Sequence, residues 1–148
     1  MSKHHSYQIE SWFSEDWVSG VFDLLYPGSR CVWKGSYFDA KCYNKGATIT
    51  VILTTCGFIY GGFSDKSWTS VNKYCDSNKI FLFSLKSTTK KIGLKKMHIN
   101  KILGTNTIFS HFSYGPRFGG GHDRYIASYA NIKTNYYSNI DCAYEVSP

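Results

Sequence analysis

Between Ala47 and Phe63 the chain repeats with a period of two. Thr48, Thr50 and Leu53 interleave with Ile49, Val51 and Ile52 in a β-branched run, Thr55-Cys56-Gly57 follows, and Phe58-Ile59-Tyr60-Gly61-Gly62-Phe63 returns. A helix cannot use that alternation, whereas a strand sends successive side chains to opposite faces, so the segment predicts a β-hairpin. The Gly61-Gly62 pair removes side chains from both faces of the return strand, which marks a bulge or the close approach of another group; Trp68 is the expected visitor. Ile80 to Leu85 is short, continuously apolar and flanked by polar residues, as a strand buried in a sandwich would be. Further strands are expected at Thr107 to Phe112, Tyr125 to Ser128 and, as a last edge, Cys142 to Val146, with Asn131 to Asn139 as a polar connection. Twelve Tyr and ten Phe against two Met agree with half-buried pleated surfaces.

Helical signals are confined to the first third. Trp12, Phe13, Trp17, Val18 and Phe22 approximate one helical face across Glu10 to Phe22, with Ser14, Glu15 and Asp16 as a helix start. After a turn at Pro27-Gly28-Ser29, Ser36 is expected to cap a short helix that carries Tyr37, Phe38 and Cys42 toward the core and ends at Asn44-Lys45-Gly46. A chain of 148 residues that is 43% hydrophobic can bury one substantial core. Its N-terminus lacks the pattern of a secretory signal, and its apolar runs are too short to span a bilayer, so a cytoplasmic protein without membrane insertion is expected.

Charge is unevenly spread. The net charge is +7, yet Asp76 to Asp123 encloses no acidic residue and eight of the 17 basic ones, leaving nine against ten acidic residues elsewhere. Lys86, Lys90, Lys91, Lys95, Lys96 and Arg117 are therefore the candidate partner-binding residues. Their sign suits an acidic protein surface, a phosphate backbone or anionic lipid and does not choose among them, and a solvated lysine loop is the plain alternative. The nucleic-acid alternative uses the Lys79 to Lys101 segment for phosphates, with Tyr114, Phe118 or Tyr125 stacking on bases, although arginine is scarce at three residues.

Signals for catalysis or metal are weak. Cys31, Cys42, Cys56, Cys75 and Cys142 are scattered and odd in number, which predicts reduced thiols and no disulfide framework. A zinc site from Cys75, His98, His111 or His122 would lack the usual close ligand pairs, so no metal is expected. His122-Asp123, with Ser110 or Ser113 nearby, lacks a nucleophile elbow, and neighbours on a strand point apart, so no catalytic residues are assigned. Gly119 to Gly121 precedes neither Lys-Ser/Thr nor a helix start, so it fails as a phosphate loop. Its glycines instead permit backbone positions closed to other residues, with Asp123 accepting hydrogen bonds from the loop.

Five pieces stand in a fixed order: Leu25-Tyr26 before Gly28-Ser29-Arg30; Cys42 to Thr50; Gly57 to Phe63 with Trp68; Phe81-Leu82-Phe83-Ser84-Leu85; and Gly115-Pro116-Arg117-Phe118-Gly119 leading to His122-Asp123. In order and spacing they resemble the TLDc family, over about Leu25 to Glu145. The opening block through Ile52 also resembles the start of interferon-induced GTPase-like proteins, so the chain reads equally as part of a longer protein. The resemblance implies a mainly β fold, an antiparallel β-sandwich of two sheets flanked by short helices. It implies one domain over 1–148, with a helical segment at 1–23 and the sandwich at 24–148. Gly61, Gly62, Trp68, Gly115, Pro116, Phe118, Gly119 and Asp123 become its structural motif. It further implies a non-catalytic protein-interaction module without cofactors, associated with oxidative-stress or innate-defence responses, whose relatives bind the peripheral, cytosolic sector of the vacuolar proton pump and regulate its assembly. The dense lysine segment and the short region before Leu25 depart from the family pattern.

Overall fold

The expected hairpin is present. In a computed structural model describing residues 3–12, 22–86, 94–99, 106–120, 124–125, 137–138 and 144–146, β1 (Thr48–Leu53) pairs antiparallel with β2 (Ile59–Ser64) from Thr48 opposite Ser64 to Leu53 opposite Ile59. The turn closes where the Thr54 amide donates to the Phe58 carbonyl and the Gly57 amide to the Thr54 carbonyl, both at 3.0 Å. Gly57 has φ +82°, a conformation that its lack of a Cβ makes accessible.

The remaining strands are β3 (Lys73–Cys75), β4 (Phe81–Lys86), β5 (Lys95–Ile99), β6 (Ile108–Ser110), β7 (Arg117–Phe118), β8 (Arg124–Tyr125), β9 (Tyr137–Ser138) and β10 (Tyr144–Val146). They form two five-stranded sheets, ordered β1-β2-β4-β5-β10 and β3-β6-β7-β8-β9, with every named strand pair antiparallel. The mainly β, two-sheet architecture is therefore the observed one.

The apolar run of β4 is explained by burial on both faces. Leu82 points between the sheets and joins Met97, Ile108, Phe118, Trp68, Ile80, Phe38 and Cys42 in one cluster. Phe81, Phe83 and Leu85 point outward, where they meet Phe63 and Ile9, with Trp12, Ile49 and Ile59 packed at the margin. Ile9 belongs to α1 (Lys3–Ser11), which lies over this outer face. Each of these side chains contributes on the order of 1.5–3 kcal/mol of burial free energy.

The helical segment expected at 1–23 contains the first helix, Lys3–Ser11, which shares Glu10 and Ser11 with the Glu10 to Phe22 pattern, whose residues 13–21 lie outside the described residues. Expectations for the second helix are corrected. The second, α2 (Gly35–Cys42), is capped at the Lys34 position without a side-chain hydrogen bond, so Ser36 is not its cap. The reason is tertiary: a Cβ on Gly35 would stand 2.2 Å from the Ser113 carbonyl oxygen, and that tight backbone approach fixes where the helix begins. Its inward residues are Gly35, Phe38 and Cys42, three and four apart, which leaves Tyr37 off that face and 48% exposed. The termination is as expected, with Asn44 and Gly46 both at positive φ.

The group that approaches the glycine pair is also different. A Cβ on Gly62 would lie 2.6 Å from Phe118 Cζ, so Phe118 fills the space and Trp68 stands behind it, edge to face at 5.6 Å between centroids. Gly61 is packed against the Thr50 carbonyl oxygen instead, 1.8 Å from its would-be Cβ.

Candidate protein-interaction surface

The lysines that cluster in sequence separate in space. Phe83 pairs with Lys96 and Ser84 with Lys95, so these adjacent lysines project to opposite faces of the first sheet. Lys96 takes the outer face, where Nζ lies 4.3 Å from the Phe81 ring centroid and donates to the Trp12 carbonyl at 3.4 Å. It ties the end of α1 to the sheet. Lys95 shares the face of Ser84, exposed Lys86 stands opposite Ile59 beyond a shift in register, and Lys90 and Lys91 lie outside the described residues.

Arg117 leaves the lysines altogether. Only 8% exposed, it lies with its guanidinium carbon 3.5 Å from the Tyr114 ring centroid and 5.7 Å from that of Phe109. The second sheet explains this placement. Ile108 opposes Phe118, and both point into the core, so their neighbours Phe109 and Arg117 must point to the outer face. Tyr74 opposes Phe109 across the β3–β6 pair, with ring centroids 4.8 Å apart. Beyond β6, His111 stacks on Phe112 at 4.6 Å and meets Tyr114 at 4.5 Å. The result is a continuous rail, Tyr74-Phe109-Arg117-Tyr114-His111-Phe112, whose ends are open to solvent: Tyr74 is 38% and Phe112 57% exposed.

The loop that supports the rail is tightly held. Gly119, at φ +92°, donates its amide to the Thr107 carbonyl at 2.9 Å. Thr107 is buried; its hydroxyl donates to the Cys75 carbonyl at 2.8 Å, and its amide donates to Asp76 Oδ1 at 3.1 Å. The Asn106 amide also donates to Asp76 Oδ1. Pro116 is buried beside them, Gly115 partly so, and Asp123 lies outside the described residues. Phe118 is a core residue at 3% exposure, so it is not one of the rings that could stack on bases in the nucleic-acid reading. The side chain of Tyr125 lies outside the described residues.

Ser113 Oγ stands 2.8 Å from His111 Nδ1, a contact that invites a catalytic reading. The Ser113 backbone amide, however, also donates to Nδ1 at 3.1 Å, so both donors compete for the one in-plane lone pair of a nitrogen two residues away. That is the geometry of a local turn. On the far side of the core, burial first, and Asp39 second, push the Cys42 thiol up to about 11. Burial, then Cys31 and Cys42, raises Tyr26 as well. Cys31, Cys42, Cys56 and Cys75 are free thiols, and no group of three potential metal ligands occurs among the described residues. No helix among the described residues is long and apolar enough to cross a membrane.

Compared with known protein families, residues 1–147 match the TLDc domain. The chain belongs to the TLDc family. Among curated relatives, the mTOR-associated protein MEAK7 of Gallus gallus is 27% identical over 60% of this chain and 19% of its own length. The protein of the same name from Danio rerio is 36% identical over 30% of this chain and 10% of its own. The chain thus corresponds to a fifth or less of each relative. Within this TLDc domain, the family motifs serve packing: Gly62, Phe118 and Trp68 form one contact system, Gly61 lies against the Thr50 carbonyl, and Gly115 to Gly119 carries Arg117 to the outer face.

Sequence reasoning missed the rail. Phe109 and His111 do alternate, as side chains on one face of a strand would, but Tyr74 lies in a three-residue strand too short to show a period. Gly35 was missed for a different reason, since its role depends on contact with Ser113 and Tyr114, distant in sequence.

Proposed function

We propose that this TLDc domain is a non-catalytic protein-interaction module that binds its partner through the outer face of the second sheet. The observation that carries this is the rail of stacked aromatic rings around Arg117, with Tyr74 and Phe112 open to solvent. Aromatic residues and arginine are the types enriched at interfaces and at their energetic centres, and rings already stacked lose little conformational freedom on binding. The description of two relatives as mTOR-associated supports a protein partner. The family resemblance supports the finer reading: the partner belongs to the peripheral sector of the vacuolar proton pump, and binding serves oxidative-stress or innate-defence responses in the cytoplasm. Lys86 and Lys95 are assigned a flanking electrostatic role. The nucleic-acid alternative loses two supports, since Phe118 is in the core and Lys95 and Lys96 face opposite ways.

The test compares immobilised wild-type domain with a Tyr74→Ser/Phe112→Ser variant and with His111→Ala, in cell extract and against purified pump sector. The module reading expects a partner retained by wild type and lost from the double variant while thermal unfolding stays cooperative. Equal capture by both refutes the rail as the interface. A reaction catalysed by wild type and abolished in a folded His111→Ala variant refutes the non-catalytic assignment.

A further inference from the structure

Edge strands present unpaired amides and carbonyls, and proteins ordinarily protect them with charge, proline or extreme shortness. Among the described residues, three of the four sheet edges are protected in that way. β10 carries Glu145, β3 is three residues long and carries Lys73, and β9 has two residues. β1 is the exception. It is six residues long, Thr-Ile-Thr-Val-Ile-Leu, lies at the end of its sheet and has no buried residue. In a chain of net charge +7, no charged residue occurs from Gly46 to Ser64.

The direction of its open backbone groups follows from the turn. The Thr54 amide donates to the Phe58 carbonyl, which makes Thr54 and Phe58 a hydrogen-bonded pair in the same register as the rest of the hairpin. Hydrogen-bonded and non-hydrogen-bonded pairs alternate along an antiparallel ladder. Thr48, Thr50 and Ile52 therefore bond to β2, and Ile49, Val51 and Leu53 turn their amides and carbonyls to the open edge. The side chains of these same three residues lie on the outer face of the sheet. Ile49 packs at the margin of the aromatic cluster there, and Val51 and Leu53 are 43% and 70% exposed.

We propose that β1 pairs antiparallel with β1 of a second copy of this chain, about a two-fold axis through Val51, joining the two five-stranded sheets into one. The strand is complementary to itself in that register. Val51 meets the second copy's Val51, and Ile49 meets its Leu53, so every outer-face pair across the seam is aliphatic. On the opposite face Thr50 meets the second copy's Ile52. Lys45, the nearest charge, is carried toward the second copy's Gly57 and not toward another lysine. Cross-strand pairs of branched side chains are favourable, and like charges directly opposite are not, so the seam satisfies both conditions.

Sedimentation equilibrium from micromolar to near-millimolar concentration, at low and high salt, tests this. The expected result is a reversible monomer–dimer equilibrium that tightens as salt screens the +7 charge of each copy. Val51→Lys, which sets two lysines directly opposite, weakens it by roughly tenfold or more. Val51→Pro, which removes an outward amide and no bond to β2, does the same, whereas Val71→Lys, at an exposed site outside the strands, leaves it unchanged. In the wild type, the amides of Ile49, Val51 and Leu53 exchange more slowly with deuterium as concentration rises. A monomer at every concentration overturns the proposal and leaves the edge to a strand of another protein. So does a dimer in which these three amides gain no protection.

Discussion

Replacing Gly62 by alanine asks whether the glycine pair is there to admit Phe118. The added methyl would stand 2.6, 2.7 and 2.9 Å from Cζ, Cε1 and Cε2 of the ring, against about 3.5–4.0 Å for carbon atoms in contact. One of the two must move by about 1 Å. The ring is not free to do so, because Phe118 is 3% exposed and is backed by Trp68, which is itself backed by Phe38 at 5.4 Å. Overpacking of this kind costs about 1–3 kcal/mol. Alanine recovers about 0.5–1 kcal/mol of the entropy that glycine loses in a strand. The expected net destabilisation is about 1–2 kcal/mol, read from urea unfolding followed by tryptophan fluorescence. Phe118→Leu removes the obstructing ring edge, so in that background Gly62→Ala should cost about 0.5 kcal/mol or less, a coupling of about 1 kcal/mol. Gly61→Ala should cost more than Gly62→Ala and be unrelieved by Phe118→Leu, because its methyl meets the Thr50 carbonyl oxygen, part of the β1–β2 ladder. A Gly62→Ala change of less than about 0.5 kcal/mol in the wild-type background, or equal costs in the two backgrounds, would mean that Phe118 does not impose the need for glycine at this position.

Alkaline stability offers a second test. Folding holds the Cys42 thiol at about 11 against an ordinary 9.0, so the folded state binds more protons than the unfolded between those values. Stability should fall as pH rises from about 9 to about 11, by on the order of 1–3 kcal/mol, and Cys42→Ala should flatten that limb; a limb unchanged in the variant contradicts the assignment. Asp76→Ala strips the acceptor from the Asn106 and Thr107 amides, the latter in a residue 1% exposed, and should destabilise by about 1–3 kcal/mol in chemical denaturation. Lys96→Met removes the donor to the Trp12 carbonyl and should speed amide exchange in α1 while leaving that of β4 unchanged.

What could be read from sequence was whatever repeats locally. The alternation of Thr48 to Leu53 specified a hairpin in the observed place, and the apolar run Phe81-Leu82-Phe83 of β4 specified burial on both faces. Asn44 and Gly46 specified a helix end through backbone conformation alone. Contacts between distant segments left no such trace. Trp68 was the nearest indole downstream of the glycine pair, yet the space belongs to Phe118, brought there by the β6–β7 pairing. Counting lysines located a basic segment but not its geometry, since a strand divides Lys95 from Lys96 and Arg117 lies against Tyr114 and Phe109 on the outer face of the other sheet. A surface such as the rail, drawn from β3, β6, the turn after it and β7, becomes visible once the sheet is assembled.

The central claim, that the TLDc domain binds a protein partner through the outer face of its second sheet, is tested most directly by a deuterium-exchange footprint of the full chain with and without its captured partner. The account predicts protection concentrated in Lys73–Cys75 and in residues 108–117, with β4 and α1 unaltered. Protection confined to the lysine-bearing β4 and β5, with none at Tyr74 or Phe112, would contradict it.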